Sequence, residues 1–137
     1  MIDVVWDNPE QTIIRLDYYA PIASWEEYRE AVNQAHRMAR SINDTVHIIH
    51  NPGHVQMPSG RKQRALEELT ITLNDIPQNI GVLVSVTLGT FERRVTRVVP
   101  QILLRADNLH FYMVNSLETA YNLVQAYNNG DDLQALA

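Results

Sequence analysis

The stretch Ile80–Leu88 reads IGVLVSVTL and is apolar at nearly every position. A strand with one face in water alternates apolar and polar residues, whereas a strand covered by helices on both faces is apolar throughout. This stretch therefore predicts a central strand of a mostly parallel α/β sheet, buried on both faces.

The N-terminal segment predicts a β-hairpin followed by a helix. Met1–Trp6 and Thr12–Tyr18 both alternate apolar and polar residues, and a proline-containing turn separates them. Ser24 and Glu27 have the spacing of a capping box, in which the serine oxygen accepts from the first helical turn and the glutamate bonds back to the serine amide. Apolar residues then recur at helical spacing up to Ile42, which predicts the first helix.

The segment before the central strand predicts another strand and another helix. Thr45–His50 is rich in β-branched residues, which favours a strand. Asn51–His54 fits a type II turn with proline and glycine at its central positions. A helix is expected from near Ser59 to just before Pro77, because apolar residues recur there at helical spacing.

The segment after the central strand predicts a helix, a strand and a last helix. The first of these begins near Thr90 and contains Pro100, which should kink or split it. Leu109–Val114 predicts a strand, and Ser116 and Gly130 have the residue types of the two caps of the last helix. The predicted order is ββαβαβαβα, an α/β fold with a mostly parallel mixed sheet and four helices. We expect one domain over residues 1–130 and a loose tail over 131–137.

Bulk composition narrows the classes of function. The chain has 137 residues, no cysteine and a formal net charge of −5. Without cysteine, and without a signal-like N-terminus or a membrane-spanning apolar run, a cytoplasmic location is expected. The acidic balance argues against nucleic-acid binding, which needs a basic surface.

Motif searches favour a protein that is not an enzyme. The sequence contains no glycine-rich phosphate loop and no G-x-S-x-G nucleophile elbow, so no cofactor is expected. His47 and His50 are three residues apart on a predicted strand and should point to opposite faces of the sheet. His54 is a third histidine nearby. We nevertheless expect no metal site, because zinc requires three or four ligands that converge and these histidines do not.

One set of polar residues suggests a site for an anion or a phosphorylation. Basic residues follow the starts of the second and third predicted helices, although positive charge there opposes the helix macrodipole. If the preceding strands are neighbours, both helix starts open on one crevice that would favour an anion. The alternative is an ordinary solvated basic surface offset by nearby glutamates. The candidate residues are Ser59, Gly60, Arg61, Lys62, Thr90, Arg93 and Arg94.

Three segments, with the element order, carry a family resemblance: Ser24–Tyr28, Asn79–Val84, and Leu109–Phe111 continuing to Ser116–Ala120. The chain resembles the STAS fold of anti-sigma-factor antagonists, and more narrowly the small stand-alone STAS-like proteins of bacteria. The resemblance implies a partner protein, often a kinase-like anti-sigma factor, and a phosphorylated serine that maps to Ser59. The family typically has Asp-Ser-Ser/Thr-Gly there, whereas this chain has Met-Pro-Ser-Gly.

These patterns together predict a non-enzymatic regulatory or protein-interaction module with an anion-facing edge. The alternative is a carrier of a lipid or another small molecule, with an apolar pocket between helices and sheet, as in related small domains. A homodimer is also expected, because the hairpin leaves a sheet edge to cover. Apolar and aromatic residues, moreover, exceed what the core can take: Trp6, Tyr18, Tyr19 and Tyr127.

Overall fold

The structure, a computed structural model, describes residues 1–58, 62–88 and 110–133, except for the side chain of Lys62. The described elements follow the predicted order. The strands are β1 (Ile2–Trp6), β2 (Ile13–Tyr18), β3 (Val46–Gly53), β4 (Ile80–Thr87) and β5 (His110–Val114). The helices are α1 (Trp25–Arg40), α2 (Lys62–Asn74) and α3 (Leu117–Asn129).

The five strands form one mixed sheet in the order β1-β2-β3-β4-β5. β1 and β2 pair antiparallel as the predicted hairpin, and every other neighbouring pair is parallel. β4 lies between β3 and β5 and is buried along nearly its whole length. The prediction of an interior strand buried on both faces is therefore confirmed.

Helices cover both faces of the sheet. Ile14, Leu16 and Ile48 belong to a core on the first face, where α1 and α2 pack. Ile49 and Val82 belong to a second core on the opposite face, where α3 packs. The alternation of side chains along each strand thus divides the interior into two layers.

Two local predictions need correction. The turn after β3 is not the predicted type II turn over Asn51–His54, because the Val55 amide bonds the Pro52 carbonyl at 2.9 Å and Gly53 has φ 57°. At the start of α1, the Glu27 amide donates to Ser24 Oγ as expected, at 3.2 Å. The Glu27 carboxylate, however, accepts from the Ala23 amide at 2.8 Å instead of the Ser24 amide.

The described residues contain three helices rather than the predicted four. The predicted third helix, with Pro100, falls within residues 89–109, outside the described residues. α3 has the predicted caps: the Thr119 amide donates to Ser116 Oγ, and Gly130 is left-handed with φ 74°. Beyond it, Leu133 is buried in the second core. Among the described helices, none is both long and apolar enough to cross a membrane.

Candidate functional site

The predicted anion site lies almost entirely outside the described residues. β3 and β4, the strands that precede the two predicted helix starts, are neighbours, so the geometric condition for a shared crevice is met. Lys62 begins α2, and the other six candidates lie outside the described part: Ser59, Gly60, Arg61, Thr90, Arg93 and Arg94. The described strands also run in sequential order without the reversal that opens a ligand crevice in doubly wound sheets. The anion site stays a prediction.

Arg64, the next basic residue after Lys62, is engaged in ion pairs. Its guanidinium contacts the Glu68 carboxylate at 3.0 Å and Glu26 at 3.5 Å. Glu68 is 1% exposed and also binds Arg29, with an N–O distance of 2.5 Å. The buried carboxylate therefore joins α2 to α1 through Arg29, and Arg64 adds a second link between the helices through Glu26. Sequence patterns missed the contact with Arg29, which lies 39 residues away.

Tyr18 and His50 form a polar pair on the first face, near the carboxyl ends of β2 and β3. Tyr18 Oη lies 2.8 Å from His50 Nδ1. Loss of water around the ring lowers the pKa of His50 to about 4, and burial raises the pKa of Tyr18 well above its usual value. Both groups are therefore neutral at pH 7, and the tautomer of His50 decides whether Tyr18 Oη or Nδ1 donates.

The neighbours of His50 in the sheet are Ser85 on β4 and Leu16 on β2, and Tyr18 lies two residues further along β2. A catalytic serine needs a base that accepts its proton near neutral pH. The depressed pKa makes His50 a poor base, and within the described residues the structure shows no hydrogen bond between His50 and Ser85. This row of residues supports packing of the sheet better than nucleophilic catalysis.

His47 points to the opposite face, as predicted from the spacing of the two histidines. The Val82 amide donates to His47 Nδ1 at 3.0 Å, and His47 Nε2 lies 3.2 Å from Asn128 Oδ1. Since Nδ1 accepts, Nε2 carries the proton and donates to the amide oxygen of Asn128. The buried ring thus ties α3 to β3 and β4. Among the described residues, no group of three metal-ligating side chains converges.

A polar network on the second face holds the hairpin to α3. Arg15 donates to the carboxylates of Asp7 and Asp17, and it donates to Tyr121 Oη at 3.1 Å. Asn51 adds a bond from β3 to Asp17 at 3.1 Å. The tyrosine hydrogen bond and the two carboxylates raise the pKa of Arg15. No sequence signal joined these residues, because Arg15 and Tyr121 are 106 positions apart.

A surface cleft of about 340 Å³ opens on the second face, where α3 ends beside β5. The rings of His110 and Tyr127 form its aromatic part, with centroids 5.7 Å apart in an edge-to-face arrangement. The lining is mixed aromatic and acidic, and it consists of His110, Tyr112, Tyr127, Gly130, Asp131, Asp132 and Leu133.

The outer side of β1 is a free edge of the described sheet. The Asp7 amide bonds the Ile13 carbonyl and the Tyr19 amide bonds the Met1 carbonyl, so the odd-numbered residues of β1 bond to β2. In an antiparallel pair the alternate residues point their N–H and C=O groups the other way. These are Ile2, Val4 and Trp6.

Exposed apolar side chains surround this edge. Met1 is 57% exposed, Val5 is 38% exposed and Tyr19 is 47% exposed. Only two other large apolar side chains of the described residues are exposed, Ile71 and Leu88. Of the aromatic residues predicted to exceed the core, Tyr18 is buried, Trp6 and Tyr127 are half-buried, and Tyr19 alone is exposed.

Comparison of the chain with protein-family models, with curated proteins and with solved structures found no match.

Proposed function

We propose that this chain is a non-enzymatic protein-interaction module that binds its partner through the β1 edge. The observation that carries the proposal is the free row of backbone donors and acceptors on Ile2, Val4 and Trp6, bordered by exposed apolar residues. Sheet edges are usually blocked by charge, proline or a covering segment. β1 has one charged residue, Asp3, and no proline. An edge of this kind suits the addition of a strand from another chain.

The polar groups of the interior support a function that does not depend on catalysis. His47, Glu68 and Arg15 are each bonded to groups on other elements: His47 and Arg15 connect the sheet with α3, and Glu68 connects α1 with α2. Together with the STAS-like resemblance of the sequence, this favours a regulatory or protein-interaction module.

Site-specific photo-crosslinking in cells tests the proposal. A benzophenone amino acid at Val5 should cross-link a discrete protein, because this side chain is exposed beside the free edge. The matched control carries the same group at Ile71, which is 50% exposed on α2. Val4→Pro in the Val5-labelled protein should abolish the product, since proline removes the outward N–H of Val4 without removing a bond to β2.

Equal cross-linking from both positions, or a product that persists in Val4→Pro, would contradict binding through the β1 edge. A thermal melt of Val4→Pro checks that the fold is retained. Val5→Pro should cost more stability than Val4→Pro, because the amide of Val5 points toward β2.

A second candidate function, small-molecule carriage, is favoured by the cleft beside β5. The volume of this cleft, about 340 Å³, falls in the range of small-ligand sites. A separate observation on the opposite face also suits a ligand: the indole N–H of Trp25 is buried and has no hydrogen-bond partner among the described residues, so it could donate to an acceptor atom of an apolar ligand. Native mass spectrometry of the purified protein should then show a bound small molecule. Loss of that mass in His110→Ala would assign it to the cleft, and a spectrum of the free chain alone would remove this candidate.

A further inference from the structure

The β1 edge has a backbone pattern that a second copy of the same strand can satisfy. Antiparallel pairing of two β1 strands requires the outward-pointing even residues of one to face even residues of the other. Three registers meet this condition and pair at least two outward residues of each strand, with the two-fold axis at Asp3, at Val4 or at Val5. The backbone alone does not choose among them.

The aspartates of β1 choose the register. An axis at Asp3 places Asp3 directly opposite the same residue of the second copy, and an axis at Val5 places Asp3 opposite Asp7. Like charges directly opposed across two strands are destabilising. An axis at Val4 places Asp3 opposite Val5 and Ile2 opposite Trp6, so no carboxylates are directly opposed and all five residues are paired.

The position of α1 allows the second copy to approach. α1 packs over both β1 and β2. Neighbouring strands are about 4.8 Å apart, so two helices centred over strand pairs on either side of the axis lie about 10 Å apart. This is close to the usual helix packing distance of about 8–10 Å. The helical layer can therefore continue across the dimer without collision.

We propose that the partner of the β1 edge is a second copy of this chain, paired antiparallel about Val4 into a continuous ten-stranded sheet. This inference rests on the proposed function, because it names the partner of the same edge. Five paired residues on each side form a smaller contact than a standard stable interface of about 1,600 Å², so the dimer is weak.

Disulfide trapping tests the register, since the chain has no cysteine of its own. In the proposed register Asp3 and Val5 of opposite copies form a pair without mutual hydrogen bonds, with Cα atoms about 4.5 Å apart, which a disulfide can span. A mixture of Asp3→Cys and Val5→Cys proteins should form the mixed dimer faster than either variant alone. Ile71→Cys is the control, because disulfides between its copies form only at the rate of random collision.

Charge substitution at Val5 gives an independent reading by sedimentation. Val5→Lys places a cation opposite Asp3 of the second copy, and Val5→Asp places an anion there, twice in each dimer. The lysine variant should dimerise about 10- to 30-fold more tightly than the aspartate variant. The stability of the single copy should have the opposite order, with the aspartate variant more stable than the lysine variant, because residue 5 also faces Arg15 on β2. If the aspartate variant also dimerises more tightly than the lysine variant, the inference is contradicted.

Other outcomes separate the inference from the proposed function. Sedimentation of only a single copy at about 1 mM, or mixed disulfides that form no faster than those of Ile71→Cys, would overturn self-pairing. If the photo-crosslinker at Val5 then captures a different protein, the edge still binds a partner. If it captures nothing, the proposed function fails as well. A cross-link between two copies at Val5 agrees with both.

Discussion

Gly81→Ala should destabilise the fold by pushing the buried ring of His47. A Cβ atom at Gly81 would lie 2.7 Å from His47 Cε1 and 2.8 Å from Thr45 Cγ2. Real Cβ contacts of this length essentially do not occur, so the neighbours must move. The ring cannot move freely, because it is bonded at one nitrogen to Val82 and at the other to Asn128.

The expected cost follows from these contacts. Overpacking of a buried site costs about 1–3 kcal/mol. Loss of the bond from the Val82 amide adds about 1 kcal/mol. The lower chain entropy of unfolded alanine relative to glycine returns about 0.4–1 kcal/mol. Gly81→Ala should therefore lower the free energy of unfolding by about 1–3.5 kcal/mol.

Urea unfolding followed by circular dichroism measures this change, with an unchanged m-value showing that the denatured state is the same. Gly130→Ala is the control, because a Cβ there meets nothing within 4 Å and only its left-handed φ of 74° opposes alanine, by about 1–2 kcal/mol. In a His47→Ala background, Gly81→Ala should cost at least 1 kcal/mol less than in the wild type. A cost below about 0.5 kcal/mol, or the same cost with and without the ring, would refute the steric explanation.

Three further predictions concern titration, the buried carboxylate and the anion edge. Because the folded pKa of His50 is about 4, below its usual 6.5, the unfolded chain binds the extra proton first as pH falls. Stability should be full above pH 6.5 and should fall toward pH 4 by roughly 2–3 kcal/mol, with a shallower slope in His50→Gln in urea titrations at each pH. Glu68→Gln should lower the free energy of unfolding in urea by about 1–2 kcal/mol. Replacing both arginines that pair with Glu68 should cost more, because the double replacement leaves a buried carboxylate unpaired. If the anion edge exists, phosphate should raise the melting temperature of the wild type more than chloride at equal ionic strength. Arg61→Ala with Arg94→Ala should remove that excess, and equal shifts in both proteins would leave a solvated surface as the explanation.

The sequence predicted the described elements because each has a local cause. The unbroken apolar run at Ile80–Leu88 reports burial on both faces, and the alternation in Thr12–Tyr18 reports which side chains enter the core. The turn after β3 was misplaced because a Pro-Gly pair fits two neighbouring registers, and the structure puts the left-handed Gly53 second in the turn rather than third. The periodicity of a sequence predicts which face of a strand a residue lies on, but it does not predict which position of a turn the residue occupies.

The contacts between elements were beyond the sequence for a different reason. Alternation correctly placed His47 and His50 on opposite faces, yet it could not supply Asn128 as the partner of His47, 81 positions away. The alternation in β2 likewise does not predict the bond from Arg15 to Tyr121, which depends on α3 folding across the second face. Partners of this kind are fixed by how helices pack on the sheet, which a single sequence does not encode at any readable spacing.

Polar groups in the interior and at the edge of this fold differ in where their partners come from. A buried polar group must find its partner inside the chain, because leaving it unpaired costs about 1–3 kcal/mol. His47 and Glu68 meet this requirement with bonds to other elements. No described residue bonds to the outward groups of Val4, so water can satisfy them at little cost before a partner binds. A partner must replace that water and match the positions of the aspartates, so specificity at the β1 edge should depend on register more than on apolar area.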